Sequence, residues 1–343
     1  MFTNSNFDGH ERVTFAHDAA SGLKAIVAVH NSALGPAFGG CRMWPYADDE
    51  TALTDALRLS RGMTYKATIC DLPYGGGKSV IIADSRTEKT DDLLLAMGRL
   101  VESLGGDYII ADDVGTTLAD LAVMRQVTEH TAAATEAAQS DLAVTAYGVL
   151  MAIEATVTRV FERKDLAGLR FAVQGLGNVG MPLCEHLHAL GAVLIVTDID
   201  RERIKMAQER FGAEAVEPDA IYDAEADIFS PCALGAILND DTIPRLKAKA
   251  VCGGANNQLL RAEHDKSLAR RGIVFVPDYL ANAGGVIDYY QETIDDRPEA
   301  ILASVGRIRG IADDILRLSG QAAETPMTVA DRIVRQRLAA ASR

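Results

Sequence analysis

A chain of 343 residues, 48% hydrophobic and 24% charged, has material for two ordinary globular domains. Its 34 Lys+Arg against 48 Asp+Glu leave −14, which excludes a nucleic-acid or anionic-membrane surface as its main partner. No apolar run approaches the roughly 20 residues that span a bilayer, and residues 1–6 lack the basic and apolar regions of a signal peptide. Five scattered cysteines (Cys41, Cys70, Cys184, Cys232, Cys252) without C-x-x-C spacing read as reduced, buried thiols of a cytoplasmic protein, with no metal site.

Residues 12–17 and 23–30 alternate as strands do, and 18–22 read as the turn of a hairpin. Residues 35–44 (GPAFGGCRMW) are expected to form a glycine-punctuated loop. A helix over about 49–66 follows, with Leu53, Ala56, Leu57, Ser60 and Met63 on one face. Gly75, Gly76, Gly77 and Lys78 precede a short strand over 79–83. Their Gly-Lys-Ser ending invites a P-loop reading, but the glycine required five positions before Gly77 is Leu72, so that reading fails. The glycines instead let the backbone crowd a ligand while Lys78 projects into a cleft; the alternative is a flexible turn with a surface lysine. A helix near 91–104 leads to a strand over 108–110 that ends in Asp112 and Asp113. Lys66, Lys78 and Asp113 each stand at an element end in this α/β domain.

A small, polar stretch over 132–148 marks a boundary, which divides the chain into residues 1–140 and 141–326. Beyond a helix at 149–161, an apolar run over 169–173 enters Gly175, Gly177 and Gly180 in G-x-G-x-x-G spacing. A helical segment over 181–190 and a second apolar run ending on Asp198 complete the unit. Gly175 allows the tight turn, Gly177 lets the backbone approach a pyrophosphate, and Gly180 lets helix and strand pack closely. The helix N-terminus favours the phosphates. Asp198, 18 residues past Gly180, is placed to accept ribose hydroxyls and to repel a 2′-phosphate, while Arg201 and Arg203 nearby would soften that preference. Further strand ends at 228–231, 249–254 and 273–277 alternate with helices, as in a parallel sheet covered on both faces. From 281 to about 318 the chain reads as long, amphipathic helix. A last helix over 327–343, capped at Thr328, is expected to pack back on the first domain.

At this point the chain resembles the Glu/Leu/Phe/Val dehydrogenase superfamily, in its leucine, valine and aromatic amino-acid branch. The motifs are GPAFGG (35–40), RGMTYK (61–66), GGGK (75–78), DVGTT (113–117), PCALG (231–235), GANNQ (254–258) and PDY (277–279) with NAGG (282–285). The resemblance implies two α/β domains, an N-terminal substrate and oligomerisation domain and a Rossmann domain for NAD. It implies Lys78 and Asp113 as catalytic residues and Lys66 as the grip on the substrate α-carboxylate, aided by Gly39. Asn256 is expected near the nicotinamide and the substrate amine, and Asn282 near the substrate carboxylate. Thr145, Gly175, Gly177, Asn178, Val179, Gly180, Asp198, Cys232 and Ala233 would hold the cofactor. The side-chain pocket falls on Phe38, Ala111, Leu302 and Val305, an apolar set that disfavours glutamate as substrate because its carboxylate would be buried unpaired. Reversible deamination of an apolar L-amino acid to its 2-oxo acid and ammonia follows, by a homo-oligomer whose domains close around the reactants. Branched-chain substrates are favoured, with phenylalanine or tryptophan as the alternative if Phe38 stacks. A silent NAD-binding regulator would keep Gly175 to Asp198 but lose Lys78 or Asp113, and both are present. The chain departs from the family pattern over 131–144, where a Gly/Ser/Pro-rich loop is replaced by a shorter, acidic one.

Overall fold

The computed structural model describes residues 2–132 and 143–341, so most of the departure at 131–144 lies outside the described residues. Two units emerge, residues 1–135 with 334–343, and residues 136–333.

The first unit runs β1 (Arg12–Asp18), β2 (Leu23–Asn31), β3 (Ala37–Trp44), α1 (Asp49–Ile69), β4 (Gly75–Ile82), α2 (Asp91–Glu102), β5 (Tyr108–Asp112) and α3 (Leu118–Met124). Its sheet has the order β1-β2-β4-β3-β5. The β1–β2 and β2–β4 pairs are antiparallel, while β4–β3 and β3–β5 are parallel. Polar caps start the helices: Asp48 accepts from Thr51 N and Thr90 from Leu93 N, and Thr117 forms a reciprocal capping box with Asp120. Helix α1 covers one face, where Ala52, Leu53, Ala56 and Leu57 pack on Ile26, Ala28 and Val80. Helices α2 and α3 cover the other, with Leu94, Met97, Leu121 and Met124 against Val27, Met43, Ile81 and Tyr108.

Three expectations change here. The loop expected at 35–44 is largely β3, and the glycines of 75–77 belong to β4 itself, which begins at Gly75. The cause is crowding: Gly39 lies so close to the Gly77 carbonyl that any side chain carbon would overlap it. Helix α1 runs one turn past Lys66, because Ala67, Thr68 and Ile69 are buried and the chain turns only at Asp71, which has φ +56°.

The second unit continues with α4 (Val144–Val160), β6 (Arg170–Gln174), α5 (Gly180–Ala189), β7 (Val193–Thr197), α6 (Arg201–Phe211), β8 (Glu214–Ala215), β9 (Ile228–Pro231) and β10 (Ala250–Val251). Then come α7 (His264–Arg270), β11 (Val274–Phe275), α8 (Asp278–Ala281), α9 (Gly284–Glu292), α10 (Pro298–Ala322) and α11 (Pro326–Ala341). The sheet order β11-β10-β9-β6-β7-β8, with every pair parallel, is the doubly wound dinucleotide-binding order. The single long helix expected from 281 to about 318 is two helices, α9 and α10, with α8 ending at Ala281. The last helix starts at Pro326, and Thr325, not Thr328, caps it by accepting from Thr328 N at 3.2 Å. Within the first unit, Arg337 donates to Thr68 O at 2.8 Å and pairs with Asp71 at 2.8 Å.

Candidate active site

Alternation along three adjacent strands builds the candidate cluster of the first unit. Phe38 pairs with Gly76 and Gly40 with Ala111, and alternation sets Phe38, Gly40 and Arg42 of β3 on the same side as Lys78 of β4 and Ala111 of β5. Asp113 follows the end of β5. Thr64 of α1 lies against Gly76 and leaves no room for a side chain there. Lys66, one half-turn further along α1, is half-buried. At Gly40 a side chain would come within 2.8 Å of Asp113 Cβ and 3.1 Å of Lys78 Nζ, so glycine here makes the space in which those two meet.

Lys78 Nζ donates to Asp113 Oδ2, and the lysine side chain is buried. The same Oδ2 stands 3.4 Å from Arg42 Nε. Arg42 is pinned from behind: its Nη1 donates to Asp55 Oδ2 at 2.9 Å, and that oxygen also accepts from Tyr46 OH at 2.6 Å. Burial disfavours ionised Asp113, yet Lys78 and then Arg42 override it and hold the carboxyl well below its ordinary range. Thr116 Oγ1 accepts from Asp113 N at 3.0 Å and donates to Cys41 O at 2.7 Å, which fixes the backbone under the carboxylate. Tyr108 OH donates to Gly39 O at 2.6 Å, which locks β3 on the far side. Phe38 is buried and stacks on Tyr74, with centroids 5.1 Å apart and planes at 28°. Ala111 is buried beside Gly40.

The candidate cluster of the second unit lies at the C-terminal ends of β6, β7, β9 and β10. Gly175 takes φ +93°, and a side chain there would strike Ala233; one at Gly180 would overlap Gly175 O. Around Gly177 only Arg203 Nη1 comes near, at 3.6 Å, so that corner is open and carries a guanidinium. Asn178 is exposed at the entry to α5, and Val179 packs on Gly254. Asp198 Oδ2 accepts from Leu176 N at 2.6 Å and Oδ1 from Asp200 N at 2.8 Å, so the acid braces the glycine turn from the tip of β7. Cys232 N donates to Gln174 O at 2.7 Å, which draws the ends of β9 and β6 together. Asn282 Nδ2 donates to Asn256 Oδ1 at 2.8 Å and to Gly254 O at 3.1 Å. Thr145, on the first turn of α4, lies against Gly284 and Gly285. The glycine cradle, the helix N-terminus behind it and the braced acid fit a dinucleotide.

The other two expected pocket residues are on α10. Val305 exposes none of its surface and lies on the face of α10 that carries buried Ile301 and Ile308, whose Ile308 packs against Gly148 of α4. Leu302 is partly exposed beside that stripe. Sequence reading also missed Arg42, Asp55 and Tyr46. Their signal was there: once residues 37–44 are read as a strand, Arg42 shares a face with Gly40.

The description "Glu/Leu/Phe/Val dehydrogenase, dimerisation domain" matches residues 10–130, and "Glutamate/Leucine/Phenylalanine/Valine dehydrogenase" matches residues 138–304. The chain is 46% identical over 332 residues to leucine dehydrogenase of Bacillus subtilis (strain 168), covering 96% of this chain and 91% of that protein. It is 44% identical to phenylalanine dehydrogenase of Bacillus thermotolerans, covering 96% and 89%. The crystal structure of L-tryptophan dehydrogenase from Nostoc punctiforme superposes with a TM-score of 0.81 at 43% identity, covering 98% and 97%. With the fold, the site and these relatives in agreement, the chain belongs to the Glu/Leu/Phe/Val dehydrogenase family and is an amino-acid dehydrogenase.

Proposed function

We propose that this enzyme carries out the NAD-dependent, reversible oxidative deamination of an apolar L-amino acid to its 2-oxo acid and ammonia, and that it works as a homo-oligomer. The observation that carries the reading is the pair of buried Lys78 and partly buried Asp113 in a glycine-lined space, flanked by apolar Phe38 and Ala111. A nicotinamide held by the Gly175–Gly180 turn and Asp198 would supply the acceptor for the hydride of the substrate Cα. Lys66 grips the substrate α-carboxylate, with the Gly39 backbone beside it. Lys78 then polarises the water that adds to Cα and stabilises the oxygen as charge develops on it. Asp113, kept ionised by Lys78 and Arg42, takes a proton from that water and returns it to the departing nitrogen. Asn256 and Asn282, already bonded to each other, orient the amine and the carboxylate. Water supplies the oxo oxygen, nitrogen leaves as ammonia, and one proton is released for each hydride transferred.

Asp198 with the Gly175 turn supports NAD over its phosphorylated form, because a fixed carboxylate repels a 2′-phosphate. The dimerisation description over residues 10–130 supports the oligomer. For the side chain, Phe38 and Ala111 favour an apolar group, and a branched aliphatic chain buried there gains roughly 1.5–3 kcal/mol. One observation favours aromatic substrates as a second reading: the Phe38–Tyr74 stack presents a ring surface for edge or face contacts. A panel of L-amino acids with NAD⁺ at alkaline pH, followed by NADH absorbance, tests both. Highest kcat/KM on leucine, valine or isoleucine supports the first reading, on phenylalanine or tryptophan the second, and a preference for glutamate overturns both.

A further inference from the structure

Strand β4 carries Lys78 along a stretch that its neighbours hold unevenly. Against β2, Val29 lies opposite Gly77 and Asn31 opposite Gly76, so His30 is an extra residue, a bulge in an otherwise regular antiparallel ladder. Against β3, the paired residues pass from Phe38–Gly76 straight to Cys41–Ser79, while Gly39 and Gly40 pair with β5. The path of β4 between Gly76 and Ser79, the part that aims Lys78, is therefore set by more than its ladders.

Helix α1 presses on it at that place. A side chain carbon at Gly76 would overlap Thr64 N, Oγ1 and Cα, so helix and strand meet main chain to main chain. The bulged residue reaches the same point. His30 is buried, and its Nδ1 shares a 2.8 Å hydrogen bond with Thr64 Oγ1. The Asp8 main chain hydrogen-bonds the same ring. His10 backs that ring edge-on, with centroids 4.8 Å apart, and its own Nε2 lies 3.1 Å from both Leu57 O and Ser60 Oγ. The two imidazoles thus hold α1 at residues 57, 60 and 64, a single helical stripe. Burial, and after it His10, pushes the His30 pKa down to about 4, so the ring is neutral at neutral and alkaline pH.

We infer that His30 is a positioning residue: through Thr64 it locks α1, which carries Lys66, onto the bulged stretch of β4, which carries Lys78, and so fixes the spacing of the two lysines. This rests on the roles proposed above for those lysines. The loss of one neutral hydrogen bond is small for the fold. A displacement of about 1 Å at a reacting centre, by contrast, can cost on the order of 10²-fold in rate.

Variants that keep or lose this one bond test the inference in the full-length enzyme. His30→Asn keeps an amide atom where Nδ1 stands, able to donate or to accept, whereas His30→Gln carries its amide one bond further, where Nε2 stands. Thr64→Val removes the hydroxyl and keeps the shape, and Thr64→Ser keeps the hydroxyl. Per folded enzyme, counted by NADH titration, His30→Gln and Thr64→Val should each lower kcat/KM for the amino acid roughly tenfold or more. KM should rise and kcat fall together, because both lysines move, with the Kd for NADH unchanged. His30→Asn and Thr64→Ser should recover most of that loss, and the double variant His30→Gln/Thr64→Val should lose no more than either change alone. If one of the two loss variants yields no folded enzyme, the other and its conservative partner carry the test. Unchanged kcat/KM per folded enzyme in the loss variants, or His30→Asn no more active than His30→Gln, overturns the inference. Losses that multiply in the double variant overturn it too. Lys66→Ala and Lys78→Ala in the same assay separate the two ways of failing. If they lower kcat/KM and the loss variants do not, the positioning role alone falls; if they keep wild-type turnover, the proposed mechanism falls and takes this role with it.

Discussion

In the Rossmann unit, Gly175 sits at φ +93° in the turn between β6 and α5, a place where backbone shape demands glycine. In the first unit, Gly39, Gly40 and Gly77 lie inside strands with no positive φ, and they are glycine because neighbouring atoms occupy the space of a side chain. The first kind punctuates a chain and shows in its spacing. The second kind is set by a strand 31 or more residues away (108 − 77 for Gly77 against Tyr108) and leaves only a local sign that looks like a loop. A glycine run thus has two physical meanings, and the flanking sequence separates them only when the close neighbour is also near in sequence.

The largest expected effect breaks the comparison at its root. Gly39→Ala drives a carbon into the Gly77 carbonyl, where both partners are backbone, so β3 and β4 must part. A loss on the order of 3 kcal/mol or more is expected, read as a lowered melting temperature and reduced soluble yield. Gly177→Ala should melt within about 1 kcal/mol of wild type, since its nearest neighbour is the mobile end of Arg203 at 3.6 Å, while raising the Kd for NADH. Equal stability of the two variants would remove the distinction between crowded and open glycines.

Next comes the chemistry that the crowded strands hold. Lys78→Ala should lower kcat by about 10²–10³, the scale of removing one electrostatic stabiliser, with NADH binding unchanged because the glycine cradle is in the other unit. Stopped-flow fluorescence for NADH binding and steady-state kcat check the two halves separately. Near wild-type turnover would remove Lys78 from the mechanism.

A smaller and more diagnostic effect comes from Arg42. Losing its charge should raise the Asp113 pKa, because Lys78 alone then opposes burial, and the acidic limb of kcat/KM should move to higher pH in Arg42→Gln. The change also removes the Arg42 partner of Asp55 and the Arg42 charge beside Tyr46. Asp55→Asn should move the limb the other way, since it frees the Arg42 charge to act on Asp113. Stability has the matching sign. A carboxyl whose pKa is lowered by folding contributes stability above its ordinary pKa near 4, lost as pH falls toward the folded value, and Arg42→Gln should weaken that contribution. An unmoved acidic limb in both variants would show that Arg42 does not act on Asp113.

How much of this was legible follows the same division. The βαβ opening, its glycines and Asp198 could be read directly, because turn, helix and acid all lie within one local unit of chain. Lys78 and Asp113 were found by motif, but their meeting was not readable: it depends on β3 passing between β4 and β5, and residues 35–44 looked like a loop. Arg42 was lost with that strand. The helical spacing of Leu302 and Val305 is ambiguous for another reason, since a three-residue interval marks a buried stripe as readily as a pocket wall.

The smallest expected effect falls on Asp198, and it tests whether the legible half does what its spacing implies. One carboxylate oxygen holds Leu176 N at 2.6 Å and braces the turn; on the proposed reading the charge also sets the preference at the ribose. Asp198→Asn keeps an acceptor of the same shape but removes the charge, so the turn should survive while discrimination against NADP⁺ relaxes. Arg203, whose guanidinium already lies beside Gly177, would then be free to meet a 2′-phosphate. Asp198→Ala removes both jobs, and the lost charge-assisted bond should cost roughly 1.5–3 kcal/mol in stability as well. The measurements are the ratio of kcat/KM for NAD⁺ over NADP⁺ and the melting temperature of each variant. A ratio that falls about tenfold in Asp198→Asn with an unchanged melt assigns the charge to specificity and the oxygen to the fold. An unchanged ratio in both variants would mean that Asp198 only shapes the turn, and that cofactor choice lies elsewhere on the β7 edge.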